Sequence, residues 1–188
     1  MKKAEKILLA AAGAIGIAGA AAAAAAYGTT KLLVKTALDR EKPKIPGTSG
    51  NKISGKTVSA EVEKICADAS KTLAAQPHET VEITTKDGIG LVGHLFPCED
   101  AKRIIIAFHG WRSSWNYDYG LISDFWHKNG CTVLYAEQRG QNNSGGEYMG
   151  FGLTERHDCV EWAEEINRRF VLEIENKYRD NGNVQEKI

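Results

Sequence analysis

The chain lacks a net charge: 24 Lys and Arg balance 24 Asp and Glu over 188 residues. That balance gives no electrostatic reason to expect nucleic acid or a strongly acidic partner, and those partners are set aside. Paired cysteines are missing too. Cys66, Cys98, Cys131 and Cys159 lie far apart, with no Cys-x-x-Cys and no His at metal-ligand spacing, so no metal is expected. They read as buried thiols, with one adventitious disulfide as the alternative. The Gly-rich "SGGEYMGFG" has neither the spacing of a phosphate-binding loop nor a Lys-Ser/Thr pair. No nucleotide and no other cofactor is expected. Internal repeats are also absent.

What is present first is an uncharged run. After three lysines in Met1–Lys6, the stretch Ile7 to Tyr27 carries no charge, and at about 1.5 Å per residue it is long enough to cross a hydrocarbon core of roughly 30 Å. Residues 1–30 are read as an N-terminal hydrophobic helix, a single-pass membrane anchor with the rest of the chain extracytoplasmic. The competing reading is a signal segment cleaved in the alanine run, which would leave a secreted protein. Lys31, Lys35, Arg40, Lys42 and Lys44 follow and blunt the positive-inside bias. Residues 31–56 read as a linker, since "REKPKIPGTSGNKISGK" is rich in Pro, Gly, Ser and Lys without apolar periodicity.

Residues 57–77 predict a helix capped by Ser59, with Val62, Ile65, Ala69 and Leu73 inward and Pro77 closing it. "ETVEITTKDGIGLVGHLF" predicts a hairpin turning at Asp87-Gly88. The unbroken "RIIIAF" suits a strand covered on both faces. A helix follows, capped by Ser113 or Ser114, with Trp115, Tyr119, Ile122 and Trp126 on one stripe and Gly130 at its stop. "CTVLYA" is a second buried strand, and Thr154 opens a helix with Cys159, Trp162, Ala163, Ile166 and Phe170 inward. A hairpin followed by strand, helix, strand, helix predicts an α/β fold with a mixed sheet.

In an open parallel sheet, ligands bind beyond the carboxyl ends of the strands, where His109-Gly110-Trp111 and Glu137-Gln138-Arg139-Gly140 fall. Gly110 lets backbone approach a ligand closely, and a residue entering the next helix can offer a free N–H to an oxyanion. Here the sequence resembles the α/β-hydrolase family, in particular its membrane-anchored bacterial branch of serine aminopeptidases and lipases. "PHETVEITTKDGIGLVGHLFP" looks like the first two strands, "IIIAFHGWRSSW" the third strand and its oxyanion turn, and "GCTVLYAEQRGQNNSGGEYMGFGLTERHDCVEW" the fourth strand with its loop and helix. The resemblance covers residues 78–170. It implies the amino-terminal portion of an α/β-hydrolase fold, with the Trp111 backbone N–H as one oxyanion donor and His109 and Gly110 shaping the turn. It also implies acyl transfer on a small ester or peptide substrate.

Relatives commonly read D-x-R-G-H-G-x-S after the fourth strand, whereas this chain has Glu137 for the Asp and Gln141 for the His. Both read as changes of loop packing. A larger departure is that no G-x-S-x-G occurs in these residues, so the resemblance implies a nucleophile elbow, an acid and a His of a triad that this chain does not supply. Residues 171–188 then read as a tail outside the resemblance, disordered or a frayed helix, with Val171 to Ile174 resembling the start of a strand.

No other residue stands in for the missing nucleophile. Ser113 and Ser114 read as helix caps, Ser144 as loop, Arg139 as a surface ion-pair former, and His78, His94, His127 and His157 as surface or strand-end residues. The expectation is a hydrolase domain truncated before its elbow and inactive alone. The alternative is a membrane-anchored binding module without catalysis, stabilised by a complementing chain.

Overall fold

The computed structural model describes residues 3–41 and 59–185, with the side chains of residues 3–18 and part of the carboxyl-terminal helix left out. The chain runs α1 (Lys3–Leu38), α2 (Ala60–Ala74), β1 (Glu79–Thr84), β2 (Gly90–Phe96), β3 (Arg103–Phe108), α3 (Trp115–Lys128), β4 (Cys131–Ala136) and α4 (Glu155–Gln185). The strands form one mixed sheet in the order β1-β2-β4-β3. Pairing is antiparallel from β1 to β2 and from β2 to β4, and parallel from β4 to β3.

The hairpin forms as its sequence suggests. Gly88 takes φ +83, and the Thr85 carbonyl accepts the Gly88 N–H at 2.8 Å to close the turn. Alternation then sends Val81 and Leu91 to one face of the sheet, where Leu134, Ala136, Trp162 and Ile166 complete a buried cluster beneath α4. The opposite face carries Leu73, Phe96, Trp115, Val133 and Tyr135 beneath α2 and α3. The result is a three-layer α/β/α arrangement with β4 at its centre.

Each helix presents a face somewhat different from the one its apolar pattern suggests. Ser59 does cap α2, accepting the Val62 N–H at 3.3 Å, yet Val62 and Ile65 are exposed while Ser70 and Leu73 are buried. The cause is the crossing with α3: a Cβ at Gly120 would come within 2.8 Å of the Ala69 and Ser70 backbone, so the helices meet backbone to backbone there. That contact buries Ser123 in α3 and leaves Ile122 exposed. In α4, Trp162 and Ile166 are buried, but Cys159, Ala163 and Phe170 are exposed, and the inward stripe continues through Glu155 and Asp158 instead. Both acids face inward because each has a partner there, described below.

Two further expectations are corrected. Among the described strands β3 lies at the sheet edge, so Ile104, Ile105 and Ile106 are only half-buried, although Ile105 packs toward the α2 and α3 face and Ile104 and Ile106 toward the α4 face. Val171 to Ile174 is helical, and α4 runs on to Gln185 as one element. The uncharged run lies within α1, and residues 31–38, read as linker, are the last turns of that helix. The rest of the linker, residues 42–56, lies outside the described residues. Among the described residues no helix is long and apolar enough to cross a membrane.

Candidate functional site

The carboxyl ends of β3 and β4 deliver two loops to one end of the sheet, residues 109–114 and 137–146. His109 is buried, and its Nδ1–H donates to the Gly110 carbonyl at 2.9 Å. Its Nε2 accepts from the Gln138 N–H at 3.3 Å and from Asn142 Nδ2 at 3.0 Å, which fixes the tautomer. Gln138 Nε2 also donates to the His109 carbonyl. His109 thereby rivets the first loop to the second.

The Gly110 N–H donates to Asp118 Oδ2 at 2.6 Å, and a Cβ at Gly110 would sit 3.3 Å from that oxygen. Asp118 also accepts from Ser113 Oγ at 2.5 Å through its other oxygen. Arg112, at φ +54, donates its N–H to Gln141 Oε1 at 2.6 Å. The amides on either side of Trp111 are both engaged, while the Trp111 N–H has no acceptor among the described residues. The Trp111 side chain is half exposed, with its Nε1–H donating to the Ala37 carbonyl at 3.1 Å and the Arg112 guanidinium 5.1 Å from its ring centre.

The serine pair does not cap α3 as expected. Ser114 occupies the cap position with extended backbone but makes no capping hydrogen bond, and Ser113 turns to Asp118. Asp118 and Gln141 hold the amides on either side of Trp111, a part that their sequence context does not announce. Gln141 was legible only as a departure in a motif, and Asp118 carried no signal beyond an acid in the first turn of a helix.

Behind the loops lies a buried polar frame. Glu137 accepts from His94 Nε2 at 2.9 Å, from the Asn143 N–H at 2.6 Å and from Asn143 Nδ2 at 2.9 Å. Burial pushes the Glu137 carboxyl up, but these donors outweigh it and hold the group below the usual carboxylate range. His94 is buried, not at the surface, and its Nδ1 lies 3.2 Å from His78 Nε2. Ser144 is fully buried, donating to the Glu137 carbonyl at 2.8 Å and accepting the Val92 N–H at 3.0 Å.

Arg139 is likewise not a surface residue. It is buried between Asp158, which it meets through Nε at 2.7 Å and again through Nη2, and Asp87, at 2.8 Å. The Arg139 guanidinium is the main cause that brings the Asp87 carboxyl down to about 2. Glu155 accepts the N–H groups of Gly150 and Gly152 at 2.5 and 2.8 Å, and these bonds overcome burial to lower its pKa. Cys131 is buried and Cys159 exposed. Among the described residues no cluster of His, Cys, Asp or Glu is arranged to hold a metal ion.

No protein-family model and no curated protein matches the chain. Solved structures do. An esterase of Pyrococcus furiosus is similar over 50% of this chain and 38% of its own, at 32% identity and a TM-score of 0.43. The α/β hydrolase GrgF of a Penicillium species is similar over 48% of this chain and 33% of its own, at 29% identity and a TM-score of 0.40. A haloalkane dehalogenase of Paraglaciecola agarilytica is similar over 53% of this chain and 35% of its own, at 15% identity and a TM-score of 0.40. The chain thus spans less than two fifths of the length of each of these proteins.

Proposed function

We propose that these residues form the amino-terminal part of a serine hydrolase of the α/β-hydrolase kind, whose reaction is acyl transfer on a small ester or peptide. One observation carries the reading. At the carboxyl end of the parallel strand pair, the Trp111 N–H stands without an acceptor among the described residues while the amides beside it are tied to Asp118 and Gln141. A backbone donor held in this way stabilises a developing oxyanion without reorganising during the reaction. His109 and Gly110 shape the turn that presents it.

Of the three described serines near the turn two are hydrogen-bonded, and the third, Ser114, occupies the cap position of α3. Ser113 Oγ donates to Asp118 and Ser144 Oγ to the Glu137 carbonyl, and no G-x-S-x-G is present. Nucleophile, base and orienting acid are therefore not supplied by these residues, and one oxyanion donor without them gives no appreciable turnover. A complementing chain that carries an elbow would restore all three. Anchoring of the domain outside the cytoplasm through the uncharged run of α1 belongs to the same proposal, on the strength of its sequence.

Two measurements test it. Titrating a small alkylphosphonate monoester, a mimic of the tetrahedral oxyanion, into 15N-labelled protein is expected to shift the Trp111 amide ahead of all others. An unmoved Trp111 amide at saturating probe would sink the oxyanion reading. Incubation of the 188-residue chain with a fluorophosphonate is expected to label no serine, and labelling of any one would overturn the claim that it is inactive alone.

A further inference from the structure

The last carbonyls of a helix are orphan acceptors, and in α1 they are taken up by the loops of the candidate site. The Thr36 carbonyl accepts from Arg112 Nη2 at 2.8 Å, and the Ala37 carbonyl from the Trp111 indole at 3.1 Å. The Leu38 carbonyl accepts the Met149 N–H at 2.8 Å, and the Asp39 carbonyl again accepts from Arg112 Nη2, at 3.1 Å. A guanidinium placed here also meets the negative end of the helix dipole. Past the helix, Asp39 pairs with Tyr148, and the Arg40 N–H donates to the Glu147 carbonyl at 2.9 Å.

The Arg40 side chain completes the attachment. Its Nη2 donates to the Asn142 carbonyl at 2.5 Å, and its Nη1 to the carbonyls of Ser144 and Gly146 at 2.6 and 3.3 Å. Asn142, at φ +48, uses its own Nδ2 on His109 Nε2 and on the Ser113 carbonyl, both at 3.0 Å. The Trp111 turn is therefore held from two sides, by the end of α1 and by the residues just past it. One side runs directly through the side chains of Trp111 and Arg112, the other from Arg40 through Asn142 to the residues that flank the turn.

We infer that Thr36–Arg40 is a latch that sets the position of the Trp111 N–H, with Arg40 as a positioning residue for the site. What the turn is for rests on the oxyanion reading; how it is held does not. Arginine is required because three carbonyls on one loop need a planar fork of donors, which the single ammonium of lysine does not offer. Releasing the latch frees Arg112 and Asn142 together, and the turn loses both of its supports on the α1 side.

Hydrogen exchange on the full chain tests the latch. Arg40→Ala is expected to speed exchange by about tenfold or more at residues 109–113 and 142–146, while β4 stays protected. Arg40→Lys is expected to do nearly the same. Exchange at 109–113 that stays within about twofold of the unsubstituted chain, while 142–146 accelerates, would overturn the inference. Should Arg40→Ala also unprotect β4, the decision passes to Arg40→Lys and to Trp111→Phe, which removes the indole donor to Ala37 while keeping an aromatic ring beside Arg112. Acceleration at 109–113 in the first and at 36–40 in the second supports the latch, and its absence in both defeats it. The phosphonate titration reports separately: a shifted Trp111 amide with unchanged exchange rejects the latch alone, and the reverse pattern rejects the oxyanion reading alone.

Discussion

β3 and β4 are parallel neighbours of equal length, paired from Arg103 with Cys131 to Phe108 with Ala136. Read as strings of residues they are alike, and "RIIIAF" is the more apolar. The sheet reverses that ranking: every residue of β4 is buried, whereas in β3 only Ala107 is. The difference comes from position. β4 is bonded by β2 on one side and β3 on the other, with α3 above it and Trp162 below, while β3 has no strand beyond it among the described residues. Apolarity says that a segment will be a strand; the number of neighbours decides what that strand is worth.

The comparison can be broken in three ways, taken from the largest effect to the smallest. Amide exchange should separate the strands most. β4 amides should exchange only through global opening, while the outward half of the β3 amides exchange at least a thousandfold faster, or about 4 kcal/mol in opening free energy. Equal protection would mean that the β3 edge is covered in solution. Side-chain truncation should show a smaller gap in urea unfolding. Leu134→Ala, wholly buried on the α4 face, is expected to cost about 3 kcal/mol, against about 1 kcal/mol for the half-buried Ile104→Ala on the same face. Equal losses would contradict the difference in burial.

Acid should act on the loops more than on either strand. The Glu137, Glu155 and Asp87 carboxyls all lie below their ordinary values in the folded chain, Asp87 at about 2. Stability contributed by a depressed carboxyl is complete above the unfolded value and disappears as pH falls through the folded one. Thermal midpoints should therefore be flat near neutrality and fall as pH drops below about 4, and Asp87→Asn should reduce the slope. A midpoint that rises on acidification would contradict the assigned direction.

The hairpin, both parallel strands and the helices between them were legible because their signals are local: Asp87-Gly88 for the turn, two six-residue apolar runs for the strands, and Gly130 at φ +71 for the stop of α3. His109 and Gly110 were singled out by their place just past the carboxyl end of β3, where the structure puts the turn. The inward acids of α4 were not, since Asp158 and Glu155 look like solvent-facing charges until Arg139 and the Gly150 and Gly152 amides arrive from elsewhere in the chain. Arg40 was hidden for the same reason. In the sequence it opens a Pro- and Gly-rich stretch that reads as a stalk, and its partners lie about a hundred residues away. Asp118 and Gln141 escaped because a side chain that holds a backbone amide leaves no periodicity behind.

The attachment of α1 has a mechanical meaning as well. Tension applied along that helix is carried by several hydrogen bonds side by side, from the carbonyls of residues 36–39 and the fork of Arg40. Bonds loaded in parallel share a force that would open a hairpin one rung at a time. A pull on the amino terminus therefore arrives first at the loops of the crevice, and only afterwards at the sheet.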